Sequence, residues 1–171
     1  MFENITIIGC GLIGSSILRA ITKNKITENL TIYDKSKEVM SYLKKQNLGV
    51  NISNNICTAV KEADLIIMAT PLSAYNEILT SIKKEIKKNS ILTDTGSAKK
   101  NINKIVENLN LDSVSWIASH PIAGTEESGP KAGFAELFEN RWCIISPSAQ
   151  SKKEDVNKIR KFWEKLGSKV K

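Results

Sequence analysis

The chain has 171 residues, of which 41% are hydrophobic and 25% charged, and its net charge is +7. That length and mixture describe one folded domain with its own core, not a disordered or fibrous chain. No apolar run reaches the roughly 20 residues that cross a bilayer, and MFENITIIG has no basic segment ahead of its apolar stretch, so neither a membrane span nor a secretory leader is expected.

The lysines are scattered along helix-like segments such as KKEIKK and KKNINK without interleaved aromatics. They read as solvated helix faces, not as a nucleic-acid surface. Cys10, Cys57 and Cys143 are odd in number and form no CxxC pair. Reduced thiols in a cytoplasmic protein are expected, with neither a disulfide framework nor a metal site.

In chain order, ITIIG (5–9) is a buried-strand candidate, followed by a helical pattern from Leu12 to about Lys23. GCGLIG (9–14) joins the two and fits G-x-G-x-x-G in the strand-to-helix context that a dinucleotide fingerprint needs. Gly9 permits the turn, Gly11 lets the backbone approach a pyrophosphate, and Gly14 lets the helix pack on the strand, with Leu12 and Ile13 completing the loop. The pyrophosphate would meet the free N–H groups and positive dipole of the helix start. Ser15 and Ser16 are expected to face the first helical turn without touching a cofactor.

LTIYD (30–34) is a second strand, and Asp34 at its end is placed to accept hydrogen bonds from ribose hydroxyls. This favours NAD over NADP, although Lys35 beside it leaves selectivity open. SKEVMSYLKKQ (36–46) is a helix, and ADLIIMAT (63–70), apolar on both faces, is a central strand. Thr70 and Pro71 fall at its carboxyl end, where ligands bind in open parallel sheets; Pro71 equally starts the helical stretch 72–86.

SILTD (90–94), a helix from Ala98 to about Leu109, SWIAS (115–119), RWCIISP (141–147) and a helix over 152–167 capped by Gly167 continue the rhythm. SKVK reads as the start of one more strand, so the chain is expected to continue beyond Lys171. Strand–helix alternation with short loops predicts a Rossmann-type α/β domain over residues 1–171, doubly wound around a mainly parallel sheet with helices on both faces.

Two further segments carry chemistry at carboxyl ends of strands: DTGSAK (94–99) and SHPIAGTEESGP (119–130). The Ser97 hydroxyl, the Lys99 cation and His120, the sole histidine, can converge there. Taken alone, a single histidine is more often structural, Ser97 can be a helix N-cap, and Lys99 reads as a surface or first-turn lysine.

GCGLIGSS, the strand-terminal Asp34, DTGSAK, SHPIAGTEESG and AELFENRW together resemble the prephenate dehydrogenase family, which includes arogenate and cyclohexadienyl dehydrogenases. The resemblance runs along essentially the whole chain and implies NAD-dependent oxidative decarboxylation of prephenate or arogenate. It implies that His120 is the proton acceptor and that Ser97 holds the substrate hydroxyl in register. It also places Thr125 and Glu126 on the substrate side, Glu126 in a polar network at the gate. Family members continue into a helical domain that forms a homodimer and supplies an arginine for the substrate carboxylate. Arg19, Arg141 and Arg160 match no such motif, so these 171 residues are expected to bind NAD but turn prephenate over poorly. A reductase of hydroxyacids or imines, and a dinucleotide-sensing module without catalysis, are the alternatives.

Overall fold

Strands β1 (Asn4–Ile8), β2 (Asn29–Tyr33), β4 (Leu65–Met68) and β5 (Ile91–Asp94) lie side by side and parallel, together with β3 (Asn51–Ile52). These relations come from a computed structural model that describes residues 2–111, 114–148 and 150–171. With β6 (Ser115–Pro121), β7 (Trp142–Pro147) and β8 (Lys169–Val170), they form one sheet in the order β3-β2-β1-β4-β5-β6-β7-β8. The central strands are apolar on both faces because helices cover both.

On one face, Ile5 and Ile7 of β1 meet α1 (Leu12–Lys23), α2 (Lys37–Lys45) and α6 (Lys153–Lys165) through Ile17, Leu43, Phe162 and Trp163. On the other, Ile66, Met68 and Leu92 meet α3 (Ile56–Val60), α4 (Tyr75–Ile82) and α5 (Lys99–Asn108) through Val60, Leu79 and Ile102. Each large apolar side chain fully withdrawn from water contributes about 1.5–3 kcal/mol, so these two layers supply most of the favourable term.

The expected doubly wound architecture is present, with three local differences. The segment 46–62 holds β3 and α3, which were not anticipated; Asn55 caps α3 by accepting from Thr58 N–H at 3.1 Å. The stretch 72–86 opens as a 3-10 turn (Leu72–Ala74), and its α-helix ends at Ile82. Strand β7 runs antiparallel to β6, and β8 runs parallel to β7. Between β6 and β7 there is only a 3-10 turn (Ala135–Phe138) and no crossover helix, so the chain returns as a long hairpin would. Gly167, at φ +94°, follows the α6 C-cap Leu166, the left-handed position that glycine fills at helix ends. No helix among the described residues is long and apolar enough to cross a membrane.

Candidate functional site

From β1 the chain moves outward through β2 and β3, then crosses back to β4 on the other side. The carboxyl ends of β1 and β4 therefore border a crevice at the point where strand order reverses, the usual ligand position in such sheets. Gly9 stands there at φ +92°, donating its N–H to Tyr33 O at 2.8 Å. A Cβ on Gly9 would lie 2.7 Å from Ala69 O and 2.7 Å from the Thr70 methyl, and one on Gly14 would lie 1.9 Å from Gly9 O. A Cβ on Gly11, by contrast, meets nothing within 4 Å.

The crevice is thus tight where the protein packs on itself and open where a phosphate has to enter. No side chain caps α1 and no acid occupies its first turn. The N–H groups of Leu12, Ile13 and Gly14 consequently have no intrahelical partners and provide an anion-binding end. The side chains of Leu12 and Ile13 pack against the core, so their contribution to a ligand is through the backbone.

Asp34, one residue beyond β2, closes the next side. Its carboxylate accepts Cys10 N–H at 2.7 Å and Ser36 N–H at 2.8 Å, clasping the glycine loop to the start of α2. Beside it lies a cleft of about 520 Å³ lined by Tyr33, Lys35, Lys37, Ser41, Lys44 and Asn54 among others. Thr70 Oγ1 is buried without a hydrogen-bond partner among the described residues. Pro71 is exposed and accepts Ala74 N–H at 3.0 Å, so it does start the following 3-10 turn as well as edging the crevice.

The second half of the site is built where β5 and β6 end. Asp94, fully buried, accepts Ser119 N–H at 3.0 Å and Gly96 N–H at 3.0 Å. Lys99 at the head of α5 turns inward: its ammonium contacts both Asp94 oxygens at 2.7 Å and donates to Ser119 O. Three acceptors match the three ammonium hydrogens. Lys99 is a first-turn lysine as expected, but the expectation of a surface position is corrected, because the carboxylate beneath it draws the side chain in until it is only 18% exposed. Burial pushes the Asp94 carboxyl up and the Lys99 ammonium down, and their mutual contact opposes both.

His120, immediately after Ser119, is half-buried. Burial, then the Lys99 charge, lower its pKa below the usual 6.5, with Asp94 pulling the other way. Ser97 is exposed in the turn before α5; Ala98 is the N-cap residue and no side chain caps this helix, so the Ser97 hydroxyl is not occupied as an N-cap. Cys143 lies on the adjacent strand with its thiol pushed up to about 12, chiefly by burial, and stays protonated.

Thr125 and Glu126 lie on the exposed loop that follows β6. The Thr125 hydroxyl accepts Glu127 N–H at 3.3 Å, a local turn, and no described contact brings Glu126 to His120. Further along, the same loop is fastened to α1. Phe134 N–H donates to Ser16 Oγ at 3.1 Å, and Gly133 is so close to Ser15 that a Cβ there would lie 2.1 Å from the hydroxyl. Both serines also donate to Leu12 O.

An apolar surface beside His120 was not anticipated. Across β6 and β7, His120 pairs with Ile144, and Ile122 N–H bonds Trp142 O, so these four side chains share one face of the pleat. Ile122 and Trp142 are each 51% exposed, while Cys143 and Ile145 on the opposite face are buried. The run of four apolar residues in RWCIISP carried this signal, but only the antiparallel pairing shows which of them face solvent.

The family model described as "Prephenate dehydrogenase, nucleotide-binding domain" matches residues 17–171. It begins after the glycine loop, which therefore stands on its own pattern and geometry. The chain is 38% identical over 170 residues to cyclohexadienyl dehydrogenase of Zymomonas mobilis, covering 99% of this chain and 58% of that protein. It is 33% identical to prephenate dehydrogenase of Lactococcus lactis, covering 89% of this chain and 43% of that protein. It thus spans little more than half of one relative and less than half of the other. Among solved structures, prephenate dehydrogenase of A. aeolicus in complex with hydroxyphenyl propionate and NAD+ superposes with a TM-score of 0.89. At 23% identity, over all of this chain and 59% of that one, this likeness shows the fold.

Proposed function

The chain belongs to the prephenate dehydrogenase family, and we propose that it is the cofactor-binding and proton-accepting part of an NAD-dependent enzyme that oxidatively decarboxylates prephenate or arogenate. The observation that carries this reading is a half-exposed imidazole at the end of β6, on the same carboxyl rim as an open glycine cradle. The cradle suits a dinucleotide: Gly11 leaves room for a pyrophosphate, the uncapped start of α1 offers N–H donors, and Asp34 offers acceptors for ribose hydroxyls. Bound NAD+ supplies the hydride acceptor.

The chain's own residues handle the proton and the orientation. His120 accepts the proton of the ring C4 hydroxyl as the C4–H bond breaks, and the new C=O forms from the O–H electron pair. When the ring carboxylate leaves as CO2, its bonding pair completes the aromatic ring, and the proton returns from His120 to the phenolic oxygen. Ser97 holds the hydroxyl in line, while Thr125 and Glu126 on the exposed loop act on the substrate side. Ile122, Trp142 and Ile144 offer the substrate ring an apolar wall beside His120. This reading places the protein in the cytoplasm, acting as a homodimer in its complete form.

The test is an assay of the gene's full-length product with prephenate and with arogenate in the presence of NAD+, alongside its His120→Asn variant. Turnover lost in that variant with NAD+ binding retained is the expected result. Unchanged turnover overturns the role of His120, and NAD+ binding without any turnover favours a sensing module instead.

A further inference from the structure

We infer that Lys99, held by Asp94, is a positioning residue for His120: it locks the backbone that carries the imidazole and presents a cation that favours the uncharged ring. The inference rests on the reading of His120 as the base.

The geometry is a closed clamp around one residue. Asp94 takes the N–H of Ser119 and Lys99 takes its carbonyl, so both polar groups of the residue before His120 are tied to the same buried ion pair. The Ser119 hydroxyl is tied as well, meeting Thr93 Oγ1 at 2.8 Å, and Thr93 also donates to Ile117 O at 2.7 Å. Beta strands ordinarily hold a residue through neighbouring backbones. Here, in addition, side chains from β5 and α5 fix the end of β6, which limits where the His120 ring can sit. A general base has to be within hydrogen-bond reach of its proton, so this rigidity bears directly on function.

The electrostatic part follows from which groups face the ring. From α5 comes the Lys99 cation and from β5 the Asp94 carboxylate. On β7, Ile144 stands opposite and the neighbouring Cys143 thiol is protonated and uncharged. Of the two charges, the lysine exerts the larger effect on His120, so the pair as a whole disfavours imidazolium. A surface ion pair would be screened and worth little, whereas this one is largely withdrawn from water. It therefore acts on the base at physiological ionic strength.

His120 is the sole histidine in the chain, so its imidazole NMR signals need no assignment and its titration can be followed directly in the 171-residue protein. The wild-type midpoint is expected below 6.5. Lys99→Met should move it upward, and Lys99→Arg should restore it. Because Lys99→Met leaves a buried carboxylate unpaired and can unfold the chain, the double variant Asp94→Asn/Lys99→Met, with both charges gone, is measured beside it. Its midpoint should also lie above wild type. A midpoint that moves in neither Met-containing variant overturns the inference.

In the full-length product, the acid limb of the kcat/KM profile should follow the same shift. The two readings fail separately. If the midpoint responds to Lys99 but His120→Asn leaves turnover unchanged, the base assignment falls and the coupling stands. An unresponsive midpoint with turnover lost in His120→Asn has the opposite meaning.

Discussion

Gly11 and Gly14 lie three residues apart in one loop and face opposite constraints. At Gly14 a Cβ would sit 1.9 Å from Gly9 O, so Gly14→Ala must push α1 away from β1. That overpacking should cost about 1–3 kcal/mol, read as a lower denaturation midpoint. At Gly11 the same methyl enters open space, so Gly11→Ala should leave stability within about 0.5 kcal/mol of wild type. It should nevertheless weaken NAD+ by about tenfold or more in calorimetry, since the methyl stands where the backbone approaches the pyrophosphate. If Gly11→Ala binds NAD+ normally, the pyrophosphate does not lie there. Asp34 makes a third case. In Asp34→Asn the amide nitrogen cannot accept one of the two N–H groups now bonded, and the negative charge against a 2′-phosphate disappears. With Lys35, Lys37 and Lys44 already lining the adjacent cleft, NADP+ should gain on NAD+ in paired binding titrations. An unchanged ratio of the two affinities would show that those cations do not reach the ribose.

Among the elements, the entrance to the central sheet has its own fastening. Asp64 stands just before β4, and its carboxylate accepts Glu3 N–H at 3.1 Å and Asn4 N–H at 3.0 Å while pairing with Lys87 at 2.7 Å. Burial alone works to raise its pKa, but the bonds from Lys87, Asn4 and Glu3 together hold it below the ordinary carboxylate value. A folded-state pKa below the unfolded one means stabilisation that is complete above the unfolded value, near ~3.9, and lost as pH falls through the folded one. Asp64→Asn should therefore cost about 1–2 kcal/mol at neutral pH, and the gap from wild type should close on acidification in urea titrations. A gap that persists in acid would mean the loss is one of packing.

Element by element, the sequence was readable where a pattern had room to repeat. LIIM over 65–68 is apolar on both faces and announces a central strand, and the charged and apolar spacing of 153–165 announces α6. Strand β3 has two residues and α3 five, too few for either period to show. The direction of β7 was hidden because direction depends on whether a helix crosses over between two strands, and the segment 122–141 has no periodicity to decide it. Lys99 was misread for a different reason. A lysine in a first helical turn looks solvated unless the carboxylate that recruits it is known to lie beneath, and that depends on how β5 and α5 meet.

At the scale of the whole molecule, the two halves of the site are unequally complete. The cofactor side is enclosed by β1, β2, β4 and α1, with its turns, clasp and helix end all provided by described residues. On the His120 side, Ile122, Trp142 and Ile144 stay open to solvent, and Lys99, the cation nearest the imidazole, is already taken up by Asp94 and Ser119 O. Of the three arginines, Arg19 donates to Ser15 O at 3.1 Å and Arg160 to Val170 O at 2.9 Å, so both are engaged with backbone elsewhere. Arg141 stands exposed just ahead of β7, one residue out of phase with Trp142 and His120's other neighbours. A substrate carboxylate without a bidentate partner forfeits a charge-assisted contact worth about 2–5 kcal/mol. The 171-residue chain should accordingly bind NAD+ in calorimetry, yet form NADH from prephenate at least about 100-fold more slowly than the Zymomonas mobilis relative assayed beside it. Salt should weaken its NAD+ binding only modestly, because the cradle works through fixed N–H groups and not through surface lysines. Turnover matching the relative would mean that these residues already hold the carboxylate, and Lys131, at the far end of the loop that follows His120, would then be the first cation to replace.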